Sequence, residues 1–222
     1  MQRANLEEVL EAVQNARKDT RKVSLLIGAG CSVTAGIPLA AGFVKEIETT
    51  YPMRYAALKA DSRGGHPPSY QQCMARLAPA ERRGLMAKYV EKARINWAHI
   101  GMACLIRAGI VDRVLTVNFD PLIVRACALL NEFPGVYDFA ASQAFDSSHV
   151  ADRAVFYLHG QQSGFVHLQT AVQVEQHAKR LAPVAAPTIA RVLPVCVAGS
   201  TRRSGSWRMR ATMVISPAKL IC

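Results

Sequence analysis

Three β-prone runs in this chain each end on a motif of small or polar residues. Val23–Ile27 ends at Gly28-Ala29-Gly30, Val111–Val117 at Asn118-Phe119-Asp120, and Ala154–Leu158 at His159-Gly160. Helical patterns lie between the runs. Leu6, Val9, Leu10 and Val13 repeat at helical spacing over residues 5–18, with Asn5 placed to cap the start. Helices are expected over about 39–49, as a short piece followed by a loop within 51–68, and through 70–108, where Ser69 and Pro79 are candidate starts. Asp120 and Pro121 read as cap and first residue of a further helix to about Asn131. Val136–Ala140 reads as a short strand and 170–181 as a helix. Strands alternating with helices predict an α/β fold with a largely parallel sheet. Such sheets bind ligands beyond the carboxyl ends of their strands. The three motifs therefore fall at the ligand-binding edge.

Composition narrows the class. Half of the 222 residues are apolar, enough for a sizeable core, so the chain is not disordered as a whole. No apolar run reaches the roughly 18 residues that span a bilayer. The start turns acidic at once, with Glu7, Glu8 and Glu11, which is not a secretory signal. A soluble cytoplasmic protein with no membrane partner is expected. None of the six cysteines forms a C-x-x-C pair, so free thiols are expected rather than a zinc site or a disulfide framework. The net charge of +11 is uneven: residues 161–222 hold eight basic and one acidic side chain. A basic segment can meet nucleic acid. Arg202, Arg203, Arg208 and Arg210 make only a thin patch without an aromatic platform, so nucleic acid is a minor expectation.

Each motif has a chemical reading and a plain one. Gly28 and Gly30 allow close backbone approach and positive φ, and Ser32 adds a hydroxyl, so the turn suits a pyrophosphate. It is not G-x-G-x-x-G, because Val33 stands at the third glycine, and it lacks a P-loop lysine. A tight structural turn explains it equally well. Asn118 offers a donor and an acceptor to a ribose or an amide. Asp120 alone is a helix cap. His159 at a strand end can serve as a general base near neutral pH, or be a structural histidine.

Together the motifs say more. The order Gly28-Ala29-Gly30-x-Ser32-x-x-Ala35-Gly36-Ile37-Pro38, then Thr116-x-Asn118-x-Asp120, then Leu158-His159-Gly160, resembles the sirtuin family over about residues 23–160. The resemblance implies a Rossmann-like NAD-binding domain with helices on both faces of its sheet. It also implies cleavage of the nicotinamide–ribose bond. By that likeness Gly28, Ala29, Gly30, Ser32, Ala35 and Ile37 belong to the NAD site. Asn118 holds the ribose and the attacking water, Asp120 shapes the nicotinamide pocket, and His159 is the base.

The sequence departs from protein-deacylating sirtuins. They follow Gly-Ile-Pro with Asp-Phe-Arg, where this chain has Leu39-Ala40-Ala41, and they carry Gln where Val117 stands. Their zinc cysteines have no counterpart between Gly160 and Cys196, so no metal is expected. The pattern looks more like the zinc-less sirtuin-like domains of bacterial antiphage defence systems such as Thoeris. Those domains hydrolyse NAD to ADP-ribose and nicotinamide. The expected activity is therefore NAD hydrolysis in antiphage defence. The alternatives are an NAD-dependent deacylase or ADP-ribosyl transferase, and a non-catalytic NAD- or ADP-ribose-binding remnant. A homo-oligomer or a sensor protein is the expected partner. The NAD-binding domain is expected over 1–182. Residues 183–222 lose all acids and read as a basic tail, a truncated or frame-shifted end with weak strand candidates at 192–198 and 212–215.

Overall fold

A computed structural model describes residues 6–61, 66–141, 147–164, 168–177, 179, 193–203 and 206–213. Its sheet has six strands: β1 (Val23–Ile27), β2 (Val111–Thr116), β3 (Gly135–Asp138), β4 (Ala154–Tyr157), β5 (Leu193–Arg203) and β6 (Ser206–Met213). They lie in the order β3-β4-β2-β1-β5-β6. All neighbours run parallel except β5 and β6, which are antiparallel. The chain is thus an α/β, Rossmann-like protein, as the alternation of runs predicts.

The register explains why the strands read as unbroken apolar runs. Leu25, Val114 and Val155 share one row across β1, β2 and β4, and Leu26, Leu115 and Phe156 share the next. Successive side chains of a strand point to opposite faces. The first row joins a core with α1 (Leu6–Lys18), α6 (Trp97–Arg107) and α7 (Leu122–Leu129), through Val9, Ala16, Ile106 and Ile123. The second row packs on the other face against Phe139, Tyr137 and Val150. The rings of Phe139 and Phe156 stack there at 5.3 Å. A strand covered on both faces needs apolar residues at every position.

Helix ends follow the local chemistry. In α1, Glu7 and Glu8 sit in the first turn and Arg17 and Lys18 in the last, matching the helix dipole. Its buried stripe is Val9 and Ala16, with Val13 packed beside them. Leu10, expected on that stripe, is 51% exposed, because one residue is a rotation of about 100° around the helix. Asn5 lies outside the described residues. Ser69 starts α4 (Tyr70–Ala75) with a capping box: its Oγ accepts from the Gln72 N–H, and Gln72 Oε1 accepts from the Ser69 N–H. Pro79 opens α5 (Pro79–Val90). With α2 (Ala40–Thr50) and α3 (Pro52–Asp61), these helices form a separate layer around Phe43, Ile47, Met74 and Met86.

Residues 171–177 are helical, inside the expected 170–181. The tail candidates at 192–198 and 212–215 fall on β5 and β6 over 193–198 and 212–213, while residues 192 and 214–215 lie outside the described residues. Cys31, Cys73 and Cys127 are free and buried, and Cys104 is free and exposed. Among the described residues, no helix is long and apolar enough to cross a membrane.

Candidate functional site

β1 ends at Gly28, whose backbone is extended (φ −127°), and the chain passes straight into a 3-10 helix over Ala29–Ala35. Gly36 closes it with φ +100° and donates its N–H to Val33 O. The positive φ expected at Gly28 and Gly30 therefore falls elsewhere, on Gly36 and on Gly160 after β4. The reason is geometric: the helical turn needs no left-handed residue until it stops. A Cβ at Gly28 would meet Val117 Cγ2 at an ordinary 3.7 Å. What Gly28 contributes in this structure is its carbonyl. The turn spans two cores, with Cys31 packed in the sheet core and Ala35 and Ile37 in the helical layer.

A buried polar chain joins the first two motifs. Asn118 Nδ2 donates to Gly28 O at 3.1 Å and to Ser32 Oγ at 3.2 Å. Ser32 Oγ donates in turn to Asp120 Oδ2 at 2.8 Å. Asp120 Oδ1 accepts from the Leu122 N–H at 3.1 Å and so caps α7. The two oxygens of Asp120 thus do different things: one meets the start of α7, the other joins the polar chain of the cleft. Tyr157, beneath, donates its hydroxyl to Asp120 O at 3.0 Å. The Asn118 N–H bonds Thr116 Oγ1 at 3.0 Å, which fixes the asparagine at the strand end.

Burial dominates the electrostatics. It pushes the Cys31 thiol up to about 12, with the Asp120 carboxylate adding to the effect. A thiol held that high stays protonated and is a poor nucleophile. Burial likewise raises the Tyr157 hydroxyl, again with help from Asp120. Burial holds the His159 imidazole below its ordinary value, and His177 pushes the same way. His99 in α6 is lowered by burial and partly restored by Asp120.

These elements border one cleft of about 150 Å³. Ala29, Ser32, Ile37, Asn118, Asp120 and His159 line it. Ala35 does not; its side chain is buried in the helical layer and its carbonyl accepts the Arg94 N–H. Gly28 touches the site through its bond to Asn118, and Gly30 is not on the lining. The remaining wall is apolar and aromatic. Phe43 meets Tyr70 and Phe119 with ring centres at 6.0 and 6.2 Å, and Leu168 and Gln169 complete it. Main-chain bonds lock the rim: Gln162 N–H to Phe119 O, and Leu168 N–H to His159 O.

Two buried polar atoms here have no hydrogen-bond partner among the described residues, Asn118 Oδ1 and Gln169 Nε2. Most buried polar atoms are bonded, so an orphan acceptor and an orphan donor on one cleft mark it as a place for a ligand. Three His, Cys, Asp or Glu side chains converge nowhere among the described residues.

The motifs did not reveal Phe43, Tyr70, Gln169 or Asn96. The first three come from separate segments that only the fold unites. Asn96 had a legible signal, an amide just before a helical run. Its Nδ2 donates to Cys31 O and Thr34 Oγ1, both at 2.8 Å, its Oδ1 caps α6 at the His99 N–H, and its own N–H donates to His99 Nδ1.

No protein-family model matches this chain, and no curated protein matches it. Solved structures do. One is a Sir2 homolog–NAD complex, 22% identical, covering 72% of this chain and 48% of that one, with a TM-score of 0.42. Another is Sir2 with the inhibitor EX-527, 2'-O-acetyl-ADP-ribose and a deacetylated p53 peptide, at 19%, 70%, 46% and 0.33 in the same order. A third is Sir2Tm bound to a propionylated peptide, at 18%, 95%, 64% and 0.34. The chain spans less than half the length of the first two of these structures.

Proposed function

We propose that this chain hydrolyses the nicotinamide–ribose bond of NAD, releasing nicotinamide and ADP-ribose, as zinc-less antiphage sirtuin-like domains do. The observation that carries the reading is the orphan acceptor Asn118 Oδ1, buried on the same cleft as His159. Asn118 Nδ2 is committed to Gly28 and Ser32, so the amide cannot flip without losing two bonds. Its oxygen is left to accept a proton-bearing group, a water or a ribose hydroxyl.

In the reaction the water oxygen bonds to the ribose C1' while the C1'–N bond breaks. The bonding pair returns to the pyridinium nitrogen, so nicotinamide leaves neutral. His159 takes the water's proton. Its lowered pKa keeps the imidazole neutral at pH 7, the form a base needs. The cleft volume suits one ring, since an apolar cavity of about 150 Å³ accommodates a benzene ring. The rest of a dinucleotide would extend past Ala29 and Ser32, along the glycine turn that follows β1.

The test is NAD consumption by the purified chain. His159→Ala and Asn118→Ala are each expected to lower turnover about 10²–10⁴-fold, the usual worth of a positioned base. Turnover in both variants equal to the wild type would overturn the assignment. Adding an acylated peptide separates the outcomes: deacylated peptide would mean transfer chemistry. A thermal shift with NAD but no turnover would mean a sensing domain.

A further inference from the structure

We propose that Gln169 is a specificity-determining residue of this cleft, donating from Nε2 to a carbonyl oxygen carried by the ring that binds there. The inference deepens the NAD reading and rests on it. Asn118 Oδ1 already has a role in that reading, but the second orphan atom, Gln169 Nε2, has none.

The residue is held firmly at the cleft. Gln169 is 8% exposed and lines the cleft. Its backbone is fixed, because its N–H and that of Thr170 both donate to Gln173 Oε1 at 3.2 Å. Thr170 Oγ1 in turn accepts from the Gln173 N–H, which caps the helix over 171–177. One residue earlier, the Leu168 N–H is tied to His159 O at 2.9 Å. Gln169 is therefore held in step with the strand end that presents His159. Leaving a buried N–H unmet costs free energy that a bonded partner recovers. Asn118, Asp120 and Tyr70 carry acceptor oxygens on the same lining, but none of them bonds Gln169 Nε2, which leaves the donor open to an occupant of the cleft. A one-ring cleft with an unpartnered amide donor in its wall favours a ring that bears an acceptor oxygen. In NAD that group is the carboxamide of the nicotinamide ring. Sites built to bond a polar group discriminate strongly against analogues lacking it.

The experiment compares nicotinamide with pyridine, the same ring without its carbonyl group. Binding to the full chain is measured by ligand-observed titration, with NAD turnover followed in parallel. Wild type is expected to hold nicotinamide at least about 10-fold more tightly than pyridine, the worth of one such bond. Gln169→Leu is expected to lose that margin while its pyridine affinity stays unchanged. Gln169→Glu, of similar shape but without the N–H donors, is expected to lose it too, which guards against a misfolded leucine variant. Equal affinity for the two ligands in wild type, or an undiminished margin in both variants, would overturn the inference. An undiminished margin with normal NAD turnover would overturn it and leave the hydrolase standing. A margin that depends on Gln169 in a chain with no NAD turnover would uphold the inference while removing the hydrolase.

Discussion

Asn118, Ser32 and Asp120 show how three short polar side chains can share one buried line of bonds. Asn118 Nδ2 gives two bonds, Ser32 Oγ both accepts and donates, and Asp120 divides its two oxygens, which leaves Asn118 Oδ1 buried and unbonded on a residue that lines the cleft. Two histidines near this line are held below their ordinary pKa by burial, His99 and His159. The sign of the consequence is fixed. Between the folded value and the ordinary value of 6.5, the unfolded chain binds more protons than the folded one. Stability therefore rises with pH through that window and falls on acidification. Chemical unfolding at pH 7.5 and 5.5 is expected to show the lower stability at 5.5, with a flatter profile in His99→Gln. A stability independent of pH across this range would contradict it.

The 3-10 helix is the element on which the site hangs, and it is not self-supporting. Such helices are short and have poorer hydrogen-bond geometry than α-helices. This one is clamped from α6 by Asn96, which bonds both Cys31 O and Thr34 Oγ1 while capping its own helix. Removing the amide strips an N-cap and two further bonds at once. Asn96→Ala is expected to cost about 2 kcal/mol in urea unfolding, above the roughly 1 kcal/mol of a simple cap. NAD turnover is expected to fall as well, although Asn96 is not on the cleft lining. A loss of only a few tenths of a kcal/mol would mean that packing of Cys31 and Ala35 alone holds the turn.

At the scale of the whole molecule, the strand that carries the glycine motif lies inside the sheet. β1 pairs with β2 on one side and with β5 on the other. Its partner β5 comes from the segment whose composition reads as a foreign basic tail. A chain ending at residue 182 would leave a row of β1 N–H and C=O groups unpaired, and open edges invite aggregation. Such a chain is expected to elute as oligomers or aggregate in size-exclusion chromatography and to lose the full-length thermal midpoint. A monomer with an unchanged midpoint would show that residues 193–213 add nothing to the fold.

The sequence by itself determined the alternation of strands and helices, and with it the parallel sheet. The cause is local: residues buried on both faces must be apolar at successive positions, as in Val23–Ile27 and Ala154–Tyr157. It also determined that three polar motifs meet, because parallel strands place their carboxyl ends on one side. It misplaced the left-handed glycines, since φ depends on whether the chain turns or coils after β1, a choice made by packing against two cores. Ala35 and Ile37 both pack into the helical layer, yet only Ile37 also lines the cleft, a difference of direction that spacing does not carry. Only tertiary structure brought Phe43, Tyr70 and Gln169 to that cleft, from segments with no motif of their own. Their meeting depends on how a helical layer docks over a strand end, a long-range event that no short stretch of chain encodes.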